Sequence, residues 1–157
     1  MLSLYYITDW LSIIPISIVA AFGILGLMQW IKRRDIRRVD FDILILGGFY
    51  ILVFALFCLF EMLEINYRPI LIEGILEASY PSSTTVLVLC VFPTAILQLK
   101  QRMRCTILRN VMITLLYGLN ITMLIFRFLS GVHWLRDILG GIFLSIALVS
   151  LYRTLTE

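Results

Sequence analysis

Five stretches of this sequence are apolar for about the length a helix needs to cross a membrane, and little chain is left between them. Roughly 20 apolar residues in a helix cover about 30 Å of hydrocarbon. Trp10 to Trp30 meets this, with a tryptophan at each end where interfacial anchors sit. Phe41 to about Leu63 is the second span. Thr85 to Leu99 is shorter and carries Pro93, which favours a kink. Val111 to about Phe126 and Ile138 to Tyr152 complete the set. Of the 157 residues 61% are hydrophobic and only 15% charged, whereas about a quarter of a soluble domain is charged. That balance excludes a water-soluble enzyme, a disordered chain and a nucleic-acid-binding protein. The expectation is one all-α integral-membrane domain over residues 1–157, a bundle of about five transmembrane helices. No basic residue precedes the first apolar run, and that run continues too far for a cleavable signal.

Charge gives the bundle a direction. Lys32, Arg33, Arg34, Arg37 and Arg38 follow the first span; Lys100, Arg102, Arg104 and Arg109 follow the third; Arg153 lies in the tail. Of thirteen basic residues only Arg68, Arg127 and Arg136 fall on the other side. The positive-inside rule then predicts an outer N-terminus and a cytoplasmic C-terminus. The basic loops themselves need no further role than topology and attraction to anionic headgroups. Cys58, Cys90 and Cys105 show no paired spacing, and with His133 as the single histidine a multi-histidine metal centre is excluded.

Topology does not explain what gathers on the expected outer face, in Glu64 to Thr84 and Arg127 to Asp137. Within the first segment, Ile70 to Ala78 has apolar residues at helical spacing with Glu73 and Glu77 four apart, which predicts a short interfacial helix. Tyr80-Pro81-Ser82-Ser83-Thr84-Thr85 then precedes the third span. Hydroxyl residues there are helix caps, and free N–H groups at a helix start also attract anions. An ordinary cap is the simpler reading of this hexapeptide alone. Arg68-Pro69 is equally unspecific by itself, because an arginine beside a span commonly snorkels to headgroups. Arg127 to Asp137 says more. His133 and Asp137, four apart, would share a helix face, where the carboxylate could take the Nδ1 proton and leave Nε2 as a nucleophile. Arg127 lies across a Ser130-Gly131 turn, where its planar fork could hold phosphate oxygens.

Together these three segments resemble the type 2 phosphatidic acid phosphatase family, related to the vanadium haloperoxidases. Its motifs are Lys-six residues-Arg-Pro, then Pro-Ser-Gly-His, then Ser-Arg-five residues-His-three residues-Asp. Arg68-Pro69 matches the end of the first, Pro81-Ser82-Ser83-Thr84 resembles the second, and Arg127, His133 and Asp137 fit the third at its spacing. The resemblance runs from about the second span to the C-terminus, and the family commonly has six spans. It implies an integral-membrane lipid phosphatase at the plasma membrane, with its active face away from the cytoplasm and no cofactor or metal. His133 would attack phosphorus to form a phosphohistidine, with Asp137 orienting the imidazole. Arg68, Arg127, Ser82 and the N–H groups around Ser83 and Thr84 would hold the phosphate oxygens. The partners implied are a phosphorylated membrane lipid and the bilayer, with no nucleic acid. Lipid or a second copy of the chain would cover the remaining apolar surface.

The departures shape the expected chemistry. Glu61 stands at the lysine position of the first motif, Phe126 at the serine of the third, and Thr84 at the histidine of the second. In the family that histidine protonates the leaving oxygen, worth typically 10²–10⁴-fold. An alkoxide, whose conjugate acid resembles water with a pKa of about 15.7, needs this help; a phosphate leaving group with a pKa of about 6 needs far less. Lipid diphosphates of the polyprenyl type are therefore the expected substrates, ahead of phosphatidic acid. Glu61 is a candidate substitute acid, against the simpler reading that it ends the second span. The alternative reading of the chain is a catalytically impaired relative that binds phosphorylated lipid in a regulatory or transport-associated role.

Overall fold

Pro15 lacks an amide hydrogen and crowds the carbonyl four residues back, so the first apolar run is interrupted near its start. The protein's computed structural model describes residues 2–72 and 74–156. It divides this run into α1 (Leu2–Leu11) and α2 (Ile13–Arg33). Ser12 between them keeps helical dihedrals, φ −63° and ψ −14°, so α1 runs on into α2. The first apolar helix thus begins eight residues before Trp10, at Leu2. Lys32 and Arg33 complement the negative end of the α2 dipole, and Arg34 closes it in the left-handed region. A 3-10 turn, Ile36–Arg38, leads to α3 (Phe41–Leu63).

The later helices are α4 (Ser83–Arg102), α5 (Thr106–Leu129) and α6 (Leu135–Thr156). The architecture is all-α, with five helical segments long and apolar enough to cross a membrane. α4 continues through Pro93, and the Thr94 hydroxyl bonds back to the carbonyls of Cys90 and Val91 at 2.8 and 3.0 Å.

α4 is the axis of the bundle. Of its apolar window 61% is buried, against at most 28% for any other span. On one side Val86 and Cys90 pack with Leu46, Phe49 and Val53 of α3 and Leu148 and Tyr152 of α6. On the other, Val88, Phe92, Ala95 and Ile96 pack with Leu116 and Met123 of α5. Outward-facing side chains on α2, α3 and α5, such as Ile24, Ile51, Phe54 and Leu115, are large and apolar, as a lipid-facing surface requires.

The Ile70–Ala78 segment is not a helix. Antiparallel bridges pair Tyr67 with Ala78 and Ile72 with Ile75, so the chain folds back as an irregular ribbon. Gly74 takes φ +80° in its turn, a conformation that favours glycine and ends helical continuation. Glu73, half of the expected helical pair, lies outside the described residues.

The end of the bundle opposite this ribbon is closed by a polar clasp. Asp40 accepts from Gln29 Nε2 (2.8 Å), Arg33 Nη1 (2.8 Å) and Arg102 Nη1 (3.0 Å). Arg102 also reaches Asp42 (2.6 Å) and Gln98 (2.7 Å), and Gln98 donates to the Tyr152 hydroxyl (2.9 Å). The basic loops after α2 and α4 therefore meet at one end. Arg33 and Arg102 hold the Asp40 carboxyl well down, at about 2.

Candidate functional site

α5 ends because Ser130 and Gly131 turn the chain. The Ser130 hydroxyl donates to the Arg127 carbonyl at 2.7 Å, and Gly131 takes φ +69°. This leaves Arg127 on the last turn of α5, only 2% exposed. His133 follows in the turn, and α6 begins at Leu135. The two residues expected on one helix face are therefore related differently: His133 precedes the helix. Asp137 sits in the first turn of α6, fully buried, and reaches back to accept from the Trp134 amide at 3.0 Å. That is half of a capping box, with the acid three residues inside the helix. Its other oxygen accepts from Asn66 Nδ2 at 3.0 Å, and its backbone carbonyl accepts from the Ser82 amide at 3.1 Å. Asp137 thus knots the ribbon, the start of α4 and the start of α6 together.

His133 Nδ1 lies 3.9 Å from Asp137 Oδ2, beyond hydrogen-bond reach. It lies 3.2 Å from the Ser79 carbonyl, which can only accept, so the proton sits on Nδ1 and the Nε2 lone pair is free. Nε2 is buried with no hydrogen-bond partner. Burial first, then the charges of Arg127 and Arg68, push the imidazole down to about 3, so it is neutral across the physiological range. Ser79 carries no side-chain signature for this task. Its carbonyl is delivered because the Ser79 amide donates to the Asn66 carbonyl at the base of the ribbon (2.8 Å).

The ribbon also positions Arg68. Its amide donates to the Glu77 carbonyl (3.1 Å), and its guanidinium pairs with the Glu77 carboxylate (2.9 Å), leaving Nε and Nη1 buried and unpartnered. Arg127 likewise leaves Nε buried and unpartnered. Buried donors normally find partners, so these unpartnered donors on two arginines whose charges act on His133 suit an anion.

Ser82 precedes α4 and is fully buried; its hydroxyl accepts from the Thr85 hydroxyl at 3.0 Å, which leaves its own proton free to donate. The first N–H groups of α4, from Ser83 onward, lack intrahelical partners, as at any helix start. This segment lies directly on α6 because Gly140 and Gly141 have no side chains. A Cβ on Gly140 would come within 2.7 Å of the Tyr80 hydroxyl, and one on Gly141 within 3.1 Å of Thr85 Cγ2.

A cavity of about 510 Å³ opens between α2, α3 and α4. Most of its wall is apolar, including Val19, Phe54, Phe57 and Leu87, and its polar end carries Asp9, Glu61, Ser83 and Thr84. His133, Arg68 and Arg127 do not line it, whereas Ser83 and Thr84 do. Glu61 is exposed on the last turns of α3 and faces this cavity, while the partner of Arg68 is Glu77. Of the residues expected at the site, the fold brings Arg68, Arg127, His133 and Asp137 to one corner and sets Ser82 against the Asp137 backbone, while Ser79, Asn66 and Glu77, which no sequence signal singled out for this role, hold them there.

The sequence model of the PAP2 superfamily matches residues 65–157 of the chain. The fold is similar to that of the first transmembrane PAP2 type phosphatidylglycerolphosphate phosphatase from Bacillus subtilis. The two are 22% identical with a TM-score of 0.56, over 94% of this chain and 77% of that one. No curated protein matches the chain.

Proposed function

The chain belongs to the PAP2 superfamily, and from that membership and its cluster of incompletely paired arginines beside His133 we propose that it is an integral-membrane lipid phosphatase. The observation that carries the reading is His133: Nδ1 engaged by the Ser79 carbonyl, Nε2 free, and two partly unpaired guanidiniums acting on it. All of residues 1–157 serve as one domain. The positive-inside count supports a multi-pass plasma-membrane protein with its N-terminus outside, its C-terminus cytoplasmic and the His133 end facing away from the cytoplasm.

In this reading the Nε2 lone pair attacks the terminal phosphorus of a lipid diphosphate. An N–P bond forms as the bridging P–O bond breaks, and the lipid monophosphate leaves with that electron pair. Water then attacks phosphorus, its proton passes to the product phosphate, and the free imidazole returns. Arg68, Arg127, the Ser82 hydroxyl and the N–H groups of Ser83 and Thr84 hold the equatorial oxygens as charge builds on them. Asp137 acts through the backbone it knots and through its charge near the imidazole. The apolar cavity beside Ser83 and Thr84 supports a lipid substrate, with its chain along α2 and α3. Thr84 cannot protonate an alkoxide, so diphosphates of the polyprenyl type are preferred over phosphate monoesters. Phosphatidylglycerolphosphate, named for the Bacillus subtilis protein, is the monoester to compare.

Thr84 also favours a second reading, a member that binds phosphorylated lipid without turning it over. Labelled polyprenyl diphosphate given to the purified protein separates the two. Phosphate release that His133→Ala abolishes supports the enzyme; binding with no release in either protein supports the binder. Faster hydrolysis of phosphatidic acid than of the diphosphate would overturn the substrate preference.

A further inference from the structure

Tyr5 and Thr8 stand three apart on α1, so they share one face, and that face is buried against α5 while Tyr6, Ile7 and Trp10 point outward. α1 lies outside the region matched to the superfamily. The Thr8 hydroxyl donates its single proton to the Tyr5 carbonyl at 2.8 Å. Its oxygen is thereby left as an acceptor, and Arg127 Nη1 donates to it at 3.2 Å. This is the one hydrogen bond that the Arg127 guanidinium makes among the described residues.

The Tyr5 ring touches both arginines. The central carbon of Arg127 lies 4.8 Å from the ring centroid and that of Arg68 lies 5.4 Å away. The negative face of an aromatic ring attracts a guanidinium within about 6 Å. Here one ring attracts two cations that repel each other. Tyr5 also packs with Ile72 of the ribbon and Val132 beside His133, so it touches the ribbon that carries Arg68 and the turn that carries His133.

We propose that Tyr5 and Thr8 are positioning residues of the anion site, with α1 holding the two guanidiniums at the spacing a phosphoryl group bridges. The proposal rests on the phosphatase reading, or on the binder, since both need that anion site. Neither residue touches the reacting atoms; each acts through an arginine.

The test is binding of inorganic phosphate to the full chain in detergent, followed by calorimetry beside the thermal midpoint of each variant. Tyr5→Leu is expected to weaken binding about 10-fold, and Thr8→Val about 5-fold. Tyr5→Phe keeps the ring and Thr8→Ser keeps the hydroxyl, so both should bind within about 2-fold of wild type. A merely structural role would lower thermal midpoints without separating Leu from Phe in affinity. Arg127→Met is the control for the parent reading. Wild type that binds no phosphate, or Arg127→Met that binds as wild type does, overturns the anion site and this proposal with it. Phosphate held by wild type, lost in Arg127→Met and unchanged in Tyr5→Leu overturns the proposal alone. Should Tyr5→Leu not fold, the near-isosteric Thr8→Val decides in the same way.

Discussion

Arg102 and Arg127 occupy opposite ends of the bundle, and their surroundings are opposites too. Arg102 is about a quarter exposed, yet its donors reach Asp40, Asp42 and Gln98. Arg127 is almost wholly buried, yet it donates once, to a neutral hydroxyl, and its Nε has no partner. A buried cation without an anion is costly, whereas a satisfied one is at worst neutral. The Asp40 end is thus complete without a ligand and the His133 end is not. Stability gathers at the first, and chemistry is available at the second.

The sharpest challenge to this contrast exchanges the two arginines' fates. Arg127→Met is expected to lower turnover of a lipid diphosphate at least about 10³-fold, as loss of a phosphate-clamping arginine does. Its thermal midpoint should equal or exceed that of wild type, because an incompletely paired charge has gone. Next in size, Thr84→His adds the missing proton donor to the open end. It should raise monoester hydrolysis relative to diphosphate hydrolysis on the order of 10²-fold, and an unchanged ratio would reject the leaving-group argument. Arg102→Met should do the converse of Arg127→Met. It should lose about 2 kcal/mol of stability in denaturant titration while turnover stays within about twofold.

Two further expectations concern pH. The lone His133 gives one imidazole signal by NMR. Its folded pKa of about 3 lies below the ordinary 6.5, so it should stay neutral at pH 5. The unfolded chain takes up that proton first, so His133 costs stability progressively as pH falls from about 6.5 to about 3. Asp40 has its folded pKa lowered from 3.8 to about 2. Its contribution is present above pH 3.8 and is lost as pH falls towards 2, a slope that Asp40→Asn should remove.

Much of this was legible in the residues. The second span, Phe41 to Leu63, coincides with α3, because a long apolar run in a membrane has one way to satisfy its backbone. The spacing of Arg127, His133 and Asp137 did bring the three into one corner, by a turn and a capping bond instead of a helical face. What stayed hidden depends on backbone or on distance in sequence. Ser79 contributes a carbonyl, which any residue has. Tyr5 and Thr8 are 119 or more residues from the arginine they hold, and their spacing resembles the lead-in to any apolar helix. Ile70 to Ala78 satisfies a helical pattern in letters, but Gly74 turns it back, and only the folded ribbon brings Glu77 to Arg68.

The enclosure of α4 has a consequence for biogenesis. This helix holds Thr84, Thr85, Thr94, Gln98 and Pro93, and it is the least apolar of the five candidate spans. Such a segment gains little by meeting acyl chains alone, and Thr94 and Gln98 gain their interhelical partners only once Tyr50 of α3 and Tyr152 of α6 stand beside them. α3 should therefore settle into the lipid first and α4 should follow as neighbours gather, the interior arriving after part of the wall. A translocation reporter fused to α4 alone should show weaker insertion than one fused to α3.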